Sequence, residues 1–210
     1  MSFRRVWARF CASGRTLGPT AGAREEWHRG RRWYHVTLLR IDDPAVTARR
    51  AAVLAAMPDL IVPFALDHPH VTVFVHGFVD PDRLAAPPWE AEPVSLRIGG
   101  ANAFRSCVFL EARCGRIPEL RDRFSEIEER WSTYRPHLTV GLFRAGGPVA
   151  PVVSRLRPFR RLPTLEVLGR VTTMLLDAFD PSGAVRRLTE VQNRDVLPAS
   201  FPASPSVTDR

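Results

Sequence analysis

Two short stretches of the 210-residue chain are near copies of each other: Pro-His-Val-Thr-Val at 69–73 and Pro-His-Leu-Thr-Val at 136–140. A looser third, His-Val-Thr-Leu, stands at 35–38. Six histidines and twelve threonines scattered at random would rarely give three His-x-Thr matches. The spacing constrains the fold. Val and Thr favour a pleated strand, and in a strand residues i and i+2 share a face. Each copy therefore sets an imidazole beside a hydroxyl, with Val or Leu turned toward a core. Two copies in matching contexts call for two similar halves, each contributing one His/Thr pair.

The rest of the pattern is short strands with helices between them. Strands are expected at 32–41, 69–78, 93–104, 105–114 and 136–144, with a closing hairpin of 167–179 and 184–192 across Asp-Pro-Ser-Gly. A helix over 42–57 starts with Asp42 or Asp43 as cap and Pro44 in its first turn. A second runs over 116–131, where Ile117, Leu120, Phe124, Ile127 and Trp131 fall on one face. A short third lies near 150–157. Strands outnumber helices and the turns are short, which argues for antiparallel pairing in an α+β fold. Residues 1–30 are Arg-rich without periodicity and read as a flexible basic tail. Residues 193–210 are rich in Pro and Ser and read as a second tail. That leaves 31–192 as one domain.

Composition narrows the chemistry. The formal charge is +8, and all thirty basic residues are Arg, with no Lys anywhere. Nucleotidyl transfer through a lysine, a Schiff base and a P-loop are thereby excluded. Guanidinium groups favour phosphate, which they bind bidentately, so a polyanionic partner is expected. Three cysteines without disulfide or metal spacing suit a reducing, cytoplasmic setting. No stretch reaches the 18 or so apolar residues of a membrane span. Abundant Arg, Ala and Pro suggest a GC-rich bacterial source.

Two histidines facing one space can divide acid and base work near neutral pH. One takes a proton from attacking water and the other protonates a leaving oxygen. Threonine hydroxyls beside them can donate to phosphate oxygens as charge builds. A metal site fits less well. His70 and His76 are about 20 Å apart at roughly 3.3 Å per residue, and no Asp/Glu/Cys cluster completes a coordination sphere with them and His68. Neither a metal nor a cofactor is expected.

The paired motifs His70-Val-Thr72-Val and His137-Leu-Thr139-Val resemble the two signatures of the two-histidine (2H) phosphoesterase superfamily, which includes 2′-5′ RNA ligase and cyclic phosphodiesterase families. The order of elements from about 32 to 192 is similar too. The resemblance implies a bilobal α+β fold with two antiparallel sheets, flanking helices, a central groove and a pseudo-twofold axis. It implies His70 and His137 as acid and base, in an order it leaves open, and Thr72 and Thr139 as phosphate holders. The implied activity is metal-independent hydrolysis of RNA or nucleotide 2′,3′-cyclic phosphates or 2′-5′ linkages, by a chain that is expected to be monomeric. A non-catalytic nucleotide- or RNA-binding module and a reversible 2′-5′ RNA ligase are the alternatives.

Four further residues are candidates for touching substrate. Phe74 and Phe143, at even spacing from the motif histidines, could stack on a base, although a phenylalanine in such a strand is more often core. Arg144, at the end of the second motif strand, could clamp phosphate, with Arg135 a poorer choice. His35, in the third motif, would lie on the first strand before the first helix, whereas the family's first motif follows that helix. It is therefore either a substrate contact beside the catalytic strands or part of the core.

Overall fold

A computed structural model describes residues 2–18, 33–64, 68–78, 93–122, 134–177 and 188–190. Its described elements are α1 (Phe3–Ala12), β1 (Trp33–Arg40), α2 (Pro44–Ala55), β2 (Ile61–Pro63), β3 (His70–Phe78), β4 (Val94–Ala103), β5 (Cys107–Arg113), α3 (Ile117–Asp122), β6 (His137–Phe143), α4 (Ala150–Leu156), β7 (Leu165–Asp177) and β8 (Leu188–Glu190). The fold is α+β with antiparallel pairing throughout. The strands run β2-β6-β5-β4-β7-β1-β3 in space, with β8 on β7.

The long strand β7 holds this path together. Residues 165–169 pair with β4 and residues 170–177 pair with β1. Gly169 stands where the pairing passes from one neighbour to the other. A Cβ there would lie 2.5 Å from Leu96 Cδ1 and 3.2 Å from Leu39 Cβ, so a side chain could enter only if the buried Leu96 and Leu39 gave way. On one side of the strands a continuous core gathers Leu39, Ile41, Val71, Val73, Leu96, Leu138 and Val140 with Val46 and Val53 of α2. Asp43 caps α2, accepting from the Ala45 and Val46 amides at 2.8 and 3.1 Å, with Pro44 in the first turn.

The N-terminal reading needs correction. Residues 2–18 are not a loose tail. Ser2 caps α1, and Phe10 and Val6 are buried against the sheet, with the Phe10 and Phe143 rings stacked at 6.3 Å. Asn102 donates to the Phe3 carbonyl (3.0 Å) and to Glu111 (2.8 Å), and Glu111 pairs with Arg160 (2.9 Å), whose guanidinium covers Trp7. Gly14, at φ +70°, then turns the chain in a conformation that glycine adopts without strain. Beyond it Thr16 exchanges bonds with Gly147, and the Leu17 amide donates to Arg105. Charge hid this helix: its apolar positions are interleaved with Arg4, Arg5 and Arg9 and lack an acidic first turn.

Of the second expected helix, Ile117–Asp122 is present, and 123–131 lies outside the described residues. The same holds for residues 19–30, for the hairpin turn and for the C-terminal tail. The three-residue strand β2 was not anticipated; it runs antiparallel to the end of β6. Among the described residues no helix is long and apolar enough to cross a membrane.

Candidate active site

The two motifs open the two strands β3 and β6, and these strands pack together although they are far apart in the hydrogen-bonded order. Each begins at its histidine. His70 Nδ1 lies 3.4 Å from the His68 carbonyl, and His137 Nδ1 lies 2.7 Å from the Arg135 carbonyl. A carbonyl only accepts, so both Nδ1 atoms carry the hydrogen. In both cases the acceptor is two residues back. The same local device thus fixes the same tautomer twice and leaves both Nε2 atoms for chemistry.

Environment lowers both imidazoles' affinity for protons. Burial pushes His70 down to about 3, and the nearby charges of His68, Arg50 and His137 add to it. His137 is lowered by burial, against which its bond to the Arg135 carbonyl raises it and the Arg135 charge lowers it slightly. The two rings belong to one site because the strands that carry them, β3 and β6, pack together. Phe64 walls His70 at 5.5 Å, while Phe104 and Phe109 each meet His137 edge-on at 5.2 Å. Thr72 and Thr139 are half-buried, and among the described residues neither hydroxyl has a protein partner. The Tyr134 hydroxyl donates to the Thr72 carbonyl, and Arg121 lies 4.0 Å over the Tyr134 ring.

Both motif strands carry a bulge just past the motif, and this removes Phe74 and Phe143 from the face their even spacing gave them. Opposite β1, Thr72 and Phe74 face consecutive residues, so Val73 is extra. Opposite β5, Thr139 and Gly141 do the same, so Val140 is extra. A one-residue insertion flips every later side chain to the other face. Phe74 and Phe143 therefore turn away from their histidines and are buried, at 4% and 1% exposure. Neither offers a face to a base.

Of the two places open to His35, the structure takes the core. On β1, Val36 and Leu38 pack with Phe64 and Val75, beside His70. His35 and Thr37 point the other way. His35 stacks on His76 at 3.9 Å, Thr37 bonds His76 Nε2 at 2.8 Å, and both His35 nitrogens are buried without a hydrogen-bond partner among the described residues. The third motif is core, not substrate contact. Arg144 is corrected by distance: seven residues past His137, it is about 23 Å along an extended backbone. It is tied to the Pro58 carbonyl instead. Of the two arginines considered, Arg135 is the one beside a motif histidine.

Sequence reading missed Arg50, Phe64, Phe104 and Tyr134. Arg50 left a trace. With Val46 and Val53 it falls at helical spacing on the buried stripe of α2, where a charge needs a reason. Its guanidinium donates to the Phe64 carbonyl at 2.6 Å.

Residues 24–176 match the 2′-5′ RNA ligase superfamily. No curated protein matches the chain. Among solved structures it is similar to TT0787 of Thermus thermophilus, with 17% identity over 76% of this chain and 95% of that one and a TM-score of 0.50. It is also similar to E. coli LigT complexed with 3′-AMP, with 20% identity over 77% of this chain and 95% of that one and a TM-score of 0.46. With nearly three quarters of its length matched, and a histidine heading each of two packed strands, the chain belongs to the 2′-5′ RNA ligase superfamily.

Proposed function

We propose that this chain is a metal-independent phosphodiesterase that opens 2′,3′-cyclic phosphates, or cleaves 2′-5′ linkages, at the ends of RNA or nucleotides. The observation that carries this reading is the matched pair of imidazoles, each held through Nδ1 by the carbonyl two residues before it. Membership in a superfamily of RNA ligases supports work on phosphodiester linkages. The strand β7, paired along one half with β4 and along the other with β1, supports a two-lobed arrangement with the motif strands facing across a groove.

The reaction begins from two neutral imidazoles. A phosphate entering between them brings negative charge, which raises the affinity of a nearby imidazole for a proton. One histidine then holds the proton and the other its Nε2 lone pair. The neutral Nε2 takes a proton from water, whose oxygen forms the new P–O bond. The charged partner gives its proton to the 2′ or 3′ oxygen as that P–O bond breaks. Thr72 and Thr139 hydroxyls donate to the non-bridging oxygens, and Arg50 and Arg135 set a positive field around the pair.

The test is turnover of 2′,3′-cyclic AMP, and of a short RNA ending in a 2′,3′-cyclic phosphate, with EDTA present. Hydrolysis to a single 2′- or 3′-phosphate, lost in His70→Ala and in His137→Ala, is the expected result. Binding of nucleotides without turnover would replace the enzyme reading with that of a binding module.

A further inference from the structure

A second, basic cavity adjoins the motif site. It has a volume of about 710 Å³ and lies between α1 and the turn from β4 to β5. Among the described residues its lining includes Arg9, Arg105, Arg135 and Ser13 and no Asp or Glu, with the Arg135 guanidinium lying 5.8 Å over the Phe3 ring. Its size suits a nucleotide-sized ligand. Its wall is shared with the motif site. Phe104 lines the cavity and meets the His137 ring edge-on at 5.2 Å. Arg135 lines it too, while its carbonyl holds His137 Nδ1. Along an extended backbone the two residues are about 7 Å apart.

The opposite wall is α1, which precedes the family-matched residues 24–176. This helix contributes Arg9 and no acid, and it is docked by the buried Phe10 and by Asn102 rather than left to move. A helix so fixed keeps its cationic edge over the cavity. Arg105 is oriented from behind by a bond from its Nε to the Arg15 carbonyl at 3.2 Å. Arginines gathered on one cavity wall are suited to phosphate, which guanidinium binds bidentately. An apolar floor with an aromatic edge is suited to sugar and base.

We infer that this cavity binds the phosphate backbone of a single-stranded RNA whose end lies at His70 and His137. The inference rests on the proposed function and sharpens it: the preferred substrate is an oligonucleotide, and the mononucleotide is a fragment that leaves the cavity empty. The N-terminal helix is then a substrate-binding element added ahead of the family's domain.

The experiment pairs two measurements on wild type, Arg9→Gln and Arg9→Gln/Arg105→Gln. One is fluorescence anisotropy with a labelled six-nucleotide RNA bearing a 3′-phosphate, at several salt concentrations. The other is kcat/KM for 2′,3′-cyclic AMP. The expected result is weaker RNA binding by about tenfold in the double variant, with a log–log salt slope shallower by about 1.4, roughly 0.7 for each phosphate that an arginine no longer neutralises. Mononucleotide turnover stays within about twofold of wild type, which also shows that the fold is intact. Unchanged RNA affinity and slope would overturn the inference, and so would equal losses on RNA and mononucleotide. Arginine-dependent RNA binding without turnover of 2′,3′-cyclic AMP would support the second site and sink the proposed catalysis. Turnover with arginine-independent RNA binding would do the reverse.

Discussion

The Tyr134 hydroxyl donates to the Thr72 carbonyl, so the approach to one motif strand is bonded to the middle of the other. The two motifs are 67 residues apart in sequence, and this bond joins them directly. Removing the hydroxyl leaves a half-buried carbonyl to find water. Tyr134→Phe should cost about 1 kcal/mol of stability. It should also lower kcat more than it raises KM for a cyclic phosphate, because the two histidines lose their fixed separation. Urea titration and steady-state kinetics check both. A variant with wild-type kcat would show that the bond is structural only.

Acid should unfold this protein through its histidines. Burial holds His35 and His70 down at about 3 and His76 at about 4. An unfolded imidazole titrates near 6.5. Between those limits the unfolded chain takes up protons that the folded chain refuses. Stability is therefore full above pH 6.5 and falls as pH drops toward 4, by about 1.4 kcal/mol per unit for each such histidine. His35→Phe removes one of them, along with two buried nitrogens that lack partners. Its melting temperature at pH 7 should match or exceed that of wild type and should fall less steeply down to pH 4.5. A profile parallel to that of wild type would contradict this.

Residues 2–18 should stabilise the whole domain. Phe10 is 2% exposed and stacked on Phe143. Phe10→Ala should cost about 3–5 kcal/mol, the usual range for a buried aromatic. Arg4→Ala, on the exposed side of the same helix, should cost under about 0.5 kcal/mol. Equal, small effects in denaturant titration would mean that α1 is not docked in solution.

Gly169 offers a test of the strand crossing. A methyl group there meets Leu96 and Leu39, so Gly169→Ala should destabilise by about 1–3 kcal/mol through overpacking. Gly115→Ala, where a Cβ meets nothing within 4 Å, is the control. Similar melting temperatures for the two variants would argue against the close approach of β4, β7 and β1.

The motif pair was legible because its signal is local: His, Thr and Val in a two-residue period specify a strand, its core face and its polar face. The strands and α2 followed from the same kind of pattern, down to Asp43 and Pro44 as its start. What failed was everything that depends on register. Even spacing put Phe74 and Phe143 beside the histidines, but bulges at Val73 and Val140 turned them into the core. Nothing in the sequence marks those bulges, since Val is an ordinary strand residue. The third motif looked like the other two because a strand's polar face reads the same whether it lines a site or packs inside. Arg50 and Phe104 reach His70 and His137 across 20 and 33 residues, and Tyr134 reaches Thr72 across 62, so only tertiary structure brings them together.

The most direct test of the account is a double-mutant cycle on His70 and His137. We would measure kcat/KM for a 2′,3′-cyclic-phosphate RNA end with wild type, His70→Ala, His137→Ala and the double variant, all in EDTA. Residues that act as one acid–base pair are not additive, because losing either partner stops the step that both serve. The account predicts a loss of about 10² to 10⁴ in each single variant, and a double variant little worse than the poorer single. Losses that multiply, or substantial turnover in either single variant, would contradict it.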